Sequence, residues 1–166
     1  MESLIINHNM LRKIPKEIKC LIKLKELTLI SNYIENIPKE IGCLTNLEKL
    51  NLTGNLIETI PLEIFNLINL KYLFLSSNRI TELPKEIGNL KNLQDLLLIN
   101  NRISIIPQEI SKLNKLRVLF ISFNPIKTLP EELADMSALM KLMLEGTLTE
   151  KLPKKLENKK SLKIKW

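Results

Sequence analysis

The chain has 166 residues, with 25 Lys+Arg against 18 Asp+Glu and a formal charge of +7, which is long enough for one domain with a sizeable core. With only 4 Gly and a single His (His8), a glycine-rich phosphate loop, a multi-His metal site or a His-based catalytic triad is not expected. Apolar residues at 45% and charged residues at 26% describe a globular chain, and the excess of base makes an acidic partner a question of where the charge lies.

The N-terminal stretch MESLIINHNML has no basic leader, no long apolar run and no small-residue cleavage site, so no signal peptide is expected. No stretch approaches the roughly eighteen apolar residues of a membrane span. Two cysteines, Cys20 and Cys43, are too few for a disulfide scaffold, and a cytoplasmic setting is the expectation.

From Met1 onward the chain repeats itself every 23 residues. Blocks begin at Met1, Leu24, Leu47, Leu70, Leu93, Leu116 and Leu139 without a gap, leaving Leu162–Trp166 over. Positions 1, 4, 6, 11, 14, 18 and 21 of the block supply 49 sites, of which 47 hold Leu, Ile or Met. The exceptions, Thr149 and Lys159, are both in the last block. Position 9 is Asn9, Asn32, Asn55, Asn78, Asn101 and Asn124, and position 15 is Pro in all seven blocks.

Each block predicts the same elements in the same order. Apolar positions 4 and 6 alternate with variable positions 3, 5 and 7, as in a short strand with one face buried. The Asn follows where the chain turns inward, and its amide can satisfy backbone groups that the turn leaves unpaired. Pro then fixes φ at the entry to the opposite wall, and P-x-E-I-x-x-L predicts a short helical or 3₁₀ turn. One block cannot bury its own apolar side. Stacking does so, with neighbouring strands in a parallel sheet. The fold class is therefore an α/β solenoid in a single domain over 1–166, with a basic cap or tail over about 147–166.

The pattern L-x-x-L-x-L-x-x-N-x-I-x-x-I/L-P-x-E-I-x-x-L resembles the leucine-rich-repeat family, over essentially the whole chain. It is most similar to the 23-residue class of intracellular Ras-binding repeat proteins, LAP-type polarity scaffolds and many bacterial and protist proteins. The resemblance implies a curved horseshoe with the sheet on the concave face and short turns on the convex side. It also implies a buried, structural Asn ladder and partner binding on the concave face through positions 2, 3, 5, 7 and 8.

Several residues invite a chemical reading and are better explained structurally. Glu17, Glu40, Glu63, Glu86, Glu109 and Glu132 form a row that could suggest a metal or acid–base array, but each falls in the first turn after Pro, where negative charge suits the turn's N-terminus. Asn51-Leu52-Thr53 matches a glycosylation sequon, which needs a secreted context. Cys20 and Cys43 share position 20 of consecutive blocks; curvature spreads that wall, and free thiols are expected. His8 is expected to be a solvated surface residue. No catalytic residue, cofactor or metal ligand set is expected.

Position 5 runs Ile5, Thr28, Asn51, Phe74, Leu97, Phe120, Met143, mixed at first and then apolar. Neighbouring positions add Tyr72, Val118, Ile99 and Phe123. The buried set is already complete without these residues, so an aromatic and aliphatic cluster on an outer face predicts an interaction site. The alternative is that they pack on each other and stiffen the sheet. Asp95, Gln94, Lys71, Arg117 and Lys141 flank the cluster as a polar rim. Position 3 alternates in sign, unlike the one-sign groove that nucleic acid prefers.

Residues 151–166 hold seven Lys and one Glu, six of the seven net positive charges of the whole chain. A membrane surface or nucleic acid would have to be engaged through this tail, and Trp166 has the choice of folding back over Leu152 and Leu156 or hanging free. The reading is a monomeric, non-catalytic protein-binding module in signalling, with small GTPases or phosphatases as partners implied by resemblance only. A cell-surface adhesion or pattern-recognition module, or the recruiting arm of a larger enzyme, stays open beside it.

Overall fold

A computed structural model describes all 166 residues. Eight three-residue strands follow one per coil: β1 Ser3–Ile5, β2 Glu26–Thr28, β3 Lys49–Asn51, β4 Tyr72–Phe74, β5 Asp95–Leu97, β6 Val118–Phe120, β7 Lys141–Met143 and β8 Lys163–Lys165. They form one parallel sheet in chain order, which lines the concave face of the solenoid. The opposite wall consists of 3₁₀ turns at Lys16–Cys20, Lys39–Cys43, Leu62–Asn66, Lys85–Asn89, Gln108–Lys112 and Glu131–Asp135, and of the short helix α1, Lys154–Glu157. One continuous core of Leu, Ile, Met and Phe runs between the walls.

The repeat unit explains these elements. The strand's central residue points inward, and Leu27, Leu50, Leu73, Leu96, Leu119 and Leu142 are all fully buried. Each Pro that caps a 3₁₀ turn has φ between −61° and −70°. Its carbonyl accepts from the N–H three residues on, as Ile18 to Pro15 at 3.1 Å and Ile87 to Pro84 at 3.0 Å. Two further i→i+3 bonds follow, Leu90 to Ile87 and Leu93 to Leu90, so the return wall is built on 3₁₀ geometry.

Asn32, Asn55, Asn78, Asn101 and Asn124 are buried and tie each coil to the one before it. Asn78 donates to Leu75 O of its own coil (3.1 Å) and to Leu52 O of the preceding coil (3.0 Å), and its Oδ1 accepts from Ile57 N (3.0 Å). Asn9 differs: it lies exposed and donates only to Asn7 O at 2.8 Å. In the seventh coil Thr147 replaces the Asn, and Ile126 N–H donates instead to Asn124 O.

The sharpest turn of the coil lies one residue earlier, at position 8. His8, Ser31, Gly54, Ser77, Asn100, Phe123 and Gly146 all have φ between 54° and 71°, the left-handed region. Left-handed backbone there bends the chain off the sheet while the ladder continues. Ser77 N–H donates to Ile99 O of the next coil at 2.7 Å, and Phe123 N–H to Glu145 O at 2.7 Å.

The two exceptions in the last block are both accommodated. Thr149 is buried and donates its hydroxyl to Ile126 O at 3.1 Å. Lys159 stands where other coils place Leu or Met, and its ammonium donates to the carbonyls of Ala134 (3.1 Å) and Met136. Burial pulls the Lys159 pKa down, partly opposed by Asp135.

The final five residues continue the sheet. Lys141 pairs with Lys163 and Leu142 with Ile164, a step of 22 residues where every earlier step is 23. Trp166 follows β8 and is half exposed. At the other end, Leu4, Ile6, Leu11 and Leu21 of the first coil are half-buried and line an apolar hollow of about 390 Å³.

Candidate binding face of the sheet

Parallel register aligns the variable outward positions into two columns. Position 5 reads Ile5, Thr28, Asn51, Phe74, Leu97, Phe120, Met143 and ends on Lys165. Position 3 reads Ser3, Glu26, Lys49, Tyr72, Asp95, Val118, Lys141 and ends on Lys163. The structure therefore brings Tyr72, Phe74, Asp95, Leu97, Val118, Phe120, Lys141 and Met143 onto one outer face spanning four adjacent strands. Phe74 to Met143 is three strand steps, roughly 14 Å.

These side chains partly cover one another. Tyr72, Phe74, Leu97, Val118, Phe120 and Met143 are half-buried, and the Tyr72 and Phe74 rings lie 6.2 Å apart at a tilt of 53°. Mutual packing and an exposed apolar surface thus coexist. Ile99, just beyond β5, is half-buried, with its N–H donating to Ser76 Oγ at 3.1 Å. Tyr72, Asp95, Val118 and Lys141, with Gln94, Arg117 and Met140, line a shallow hollow of about 400 Å³. A broader groove between Leu62, Pro84 and Ile105 lies away from the sheet, where successive coils diverge, and brings no aromatic side chain to one place.

Phe123 stands apart. It is 51% exposed and has φ 55°, where a bulky side chain is an outlier. Its ring lies over Gly146 of the next coil, and a Cβ there would fall 2.7 Å from Phe123 Cε1. A glycine in one coil makes room for an aromatic at the equivalent position of its neighbour. In the sequence the left-handed column reads His, Ser, Gly, Ser, Asn, Phe, Gly, one residue before the Asn column, and its mixed residue types give no periodic signal of their own.

The two halves of the face differ in charge. In the first half the charges neutralise each other between coils: Lys25 with Glu2 at 3.0 Å, Lys49 with Glu26 at 2.8 Å and Lys71 with Glu48 at 2.7 Å. Hydrogen bonds from Lys49 and Lys71 hold the Glu26 and Glu48 carboxyls below the usual range, and the Glu2 hydrogen bond raises Lys25. In the second half, Arg117, Lys141 and Lys163 take part in none of the ion pairs, and Lys165 reaches Glu145 at 3.3 Å. Asp95 is unpaired too; burial pushes its carboxyl up, against the pull of Arg117 and Lys141.

Cys20 and Cys43 are exposed free thiols on the turn wall. The Glu row follows the capping prolines on that same wall, away from the sheet face.

A parallel sheet with one strand per coil, closed by turns on the other wall, defines a repeat solenoid that presents its sheet as a continuous surface. The family model described as "Leucine-rich repeat region" matches residues 7–97 and 62–164, and the chain belongs to the leucine-rich-repeat family. The chain is similar to a Leptospira interrogans leucine-rich-repeat protein at 38% identity and TM-score 0.94, covering 99% of this chain and 43% of that one. A plant peptide hormone receptor, RGFR1, solved in complex with RGF2, shares 28% identity at TM-score 0.81 over 99% of this chain and 32% of its own. An internalin of Listeria monocytogenes, at 23% identity and TM-score 0.87, covers 99% of this chain and 47% of its own and shares the fold. The chain thus spans less than half the length of these structures. No curated protein matches it in sequence. Leucine-rich repeats are non-enzymatic interaction modules that generally mediate protein–protein contacts.

Proposed function

We propose that this chain is a non-catalytic binding module that engages a protein partner through the β4–β7 half of its concave face. The observation that carries this is the outward column Phe74, Leu97, Phe120 and Met143, flanked by Tyr72, Val118, Ile99 and Phe123. None of these is needed to fill the core, because the inward Leu and Ile columns already do so. Asp95 and Lys141 belong to the same surface and supply orientation. The peptide complex of RGFR1 supports a peptide or protein ligand for a face of this kind. Resemblance to Ras-binding repeat proteins directs the first candidates to small GTPases and phosphatases. A cytoplasmic setting and a monomeric state are part of the proposal, and fractionation and sedimentation of the native protein test them.

The experiment is affinity capture from the native organism with wild type and with Phe74→Asp plus Phe120→Asp. The partner is expected to be lost from the double variant while its circular dichroism stays unchanged. A folded double variant that keeps every partner overturns the proposal.

A further inference from the structure

We infer that the partner presents an extended peptide segment that is aromatic or aliphatic at one end and acidic at the other, laid across the strands with the acidic end over β7 and β8. This rests on the concave-face reading above and adds the chemistry of the ligand and its direction.

The argument starts from the register of β8. Both outward columns turn basic toward the same end of the sheet: position 3 passes from Val118 on β6 to Lys141 and Lys163 on β7 and β8, and position 5 one strand later, from Phe120 and Met143 to Lys165 on β8. Ile164 points into the core, so strand alternation puts Lys163 and Lys165 on the outer face, where both are exposed. An apolar surface therefore runs directly into a basic one within a single sheet. The first half of the sheet has nothing equivalent, because its lysines are consumed by Glu2, Glu26 and Glu48. Lys141 and Lys163 form no ion pair in the structure.

From β4 to β8 is four strand steps, roughly 19 Å, which an extended segment of about six residues spans. Direction follows from the register: the outward position 3 of β5 is the carboxylate of Asp95, which would repel an acid laid over it, whereas β8 ends both columns on lysines, so acidic groups belong at the β7–β8 end. The same residue argues against a bare polyanion. Nucleic acid or an anionic lipid surface would match Lys163 and Lys165 but would cover Asp95 and an apolar column that offers it no compensation.

The test is to pan a phage-displayed library of random dodecapeptides on the full chain. The selected peptides are then titrated by fluorescence polarisation against wild type, Phe74→Thr/Phe120→Thr and Lys141→Glu/Lys163→Glu. Threonine already occupies position 5 as Thr28, so the first variant copies a residue this sheet carries. Selected peptides are expected to group Asp or Glu at one end and Phe, Leu, Ile or Trp at the other. The charge reversal is expected to weaken them about tenfold, as is raising salt from about 50 to 500 mM. Peptides that depend on Phe74 and Phe120 but carry no acid, or ignore the charge reversal, overturn this inference and leave the binding face standing. Peptides that ignore both variants, or no enrichment at all, overturn both. An anionic vesicle or an RNA oligonucleotide that binds through Lys141 and Lys163 with no dependence on the phenylalanines overturns the inference in favour of a polyanion.

Discussion

Replacing Asn78 by Ala tests how the coils are held together. The amide makes bonds to four main-chain groups, and they do not lose equally. Leu52 O also accepts from Asn55 at 3.0 Å, Leu75 O from Asn101 at 3.0 Å and Ser76 O from Gly54 N–H at 2.9 Å, so each carbonyl keeps one donor after the substitution. Ile57 N–H has no other acceptor and sits in a fully buried residue. Orphaning it costs about 1–3 kcal/mol, and the three weakened carbonyl contacts together add about 1 kcal/mol, giving about 3 kcal/mol in all. Asn9→Ala at the equivalent position removes one exposed bond and is expected to cost under about 0.5 kcal/mol. Urea unfolding at 25 °C reads the difference: with m near 2 kcal/mol/M, Asn78→Ala lowers the midpoint by about 1.5 M. Equal shifts for the two variants, or less than about 1 kcal/mol for Asn78→Ala, would refute the idea that coil-to-coil satisfaction gives the column its energetic weight.

Gly146→Ala should destabilise by about 2 kcal/mol, from its left-handed backbone and the Phe123 ring together, and by only about half that in a Phe123→Gly background; thermal melts of the four proteins measure the coupling. Asp95→Asn is expected to raise stability at neutral pH. Burial raises the folded-state pKa of Asp95, so the penalty of its charge is fully present above that value and fades as pH falls toward the unfolded value. The gain from Asn should shrink correspondingly on acidification, and a gain that grows toward low pH contradicts the assignment.

Much of the fold was legible because a strict period converts sequence position into spatial position. Once Leu27, Leu50 and Leu73 are known to share a column, strand register and the inward face follow. What escaped the period were effects of ends and neighbours. The last block is one residue short before its strand, so the gap-free alignment left Leu162–Trp166 outside the pattern and hid the lysines that extend both columns. Asn9 has the residue type of the ladder but lies exposed and bonds only Asn7 O. Phe123 reads as another exposed aromatic until its backbone conformation and its seat over Gly146 are seen. The half-burial of Tyr72 and Phe74 depends on side-chain packing across strands, which a column of letters does not contain.

The binding face is tested most directly by hydroxyl-radical footprinting of the chain alone and with its captured partner, because aromatic and methionine side chains on the sheet are good radical targets. Tyr72, Phe74, Phe120, Phe123 and Met143 should lose reactivity in the complex, while the exposed Met10 and Tyr33 in the early coils keep theirs. Protection of Met10 and Tyr33 with none at Phe74, Phe120 and Met143 would contradict the account.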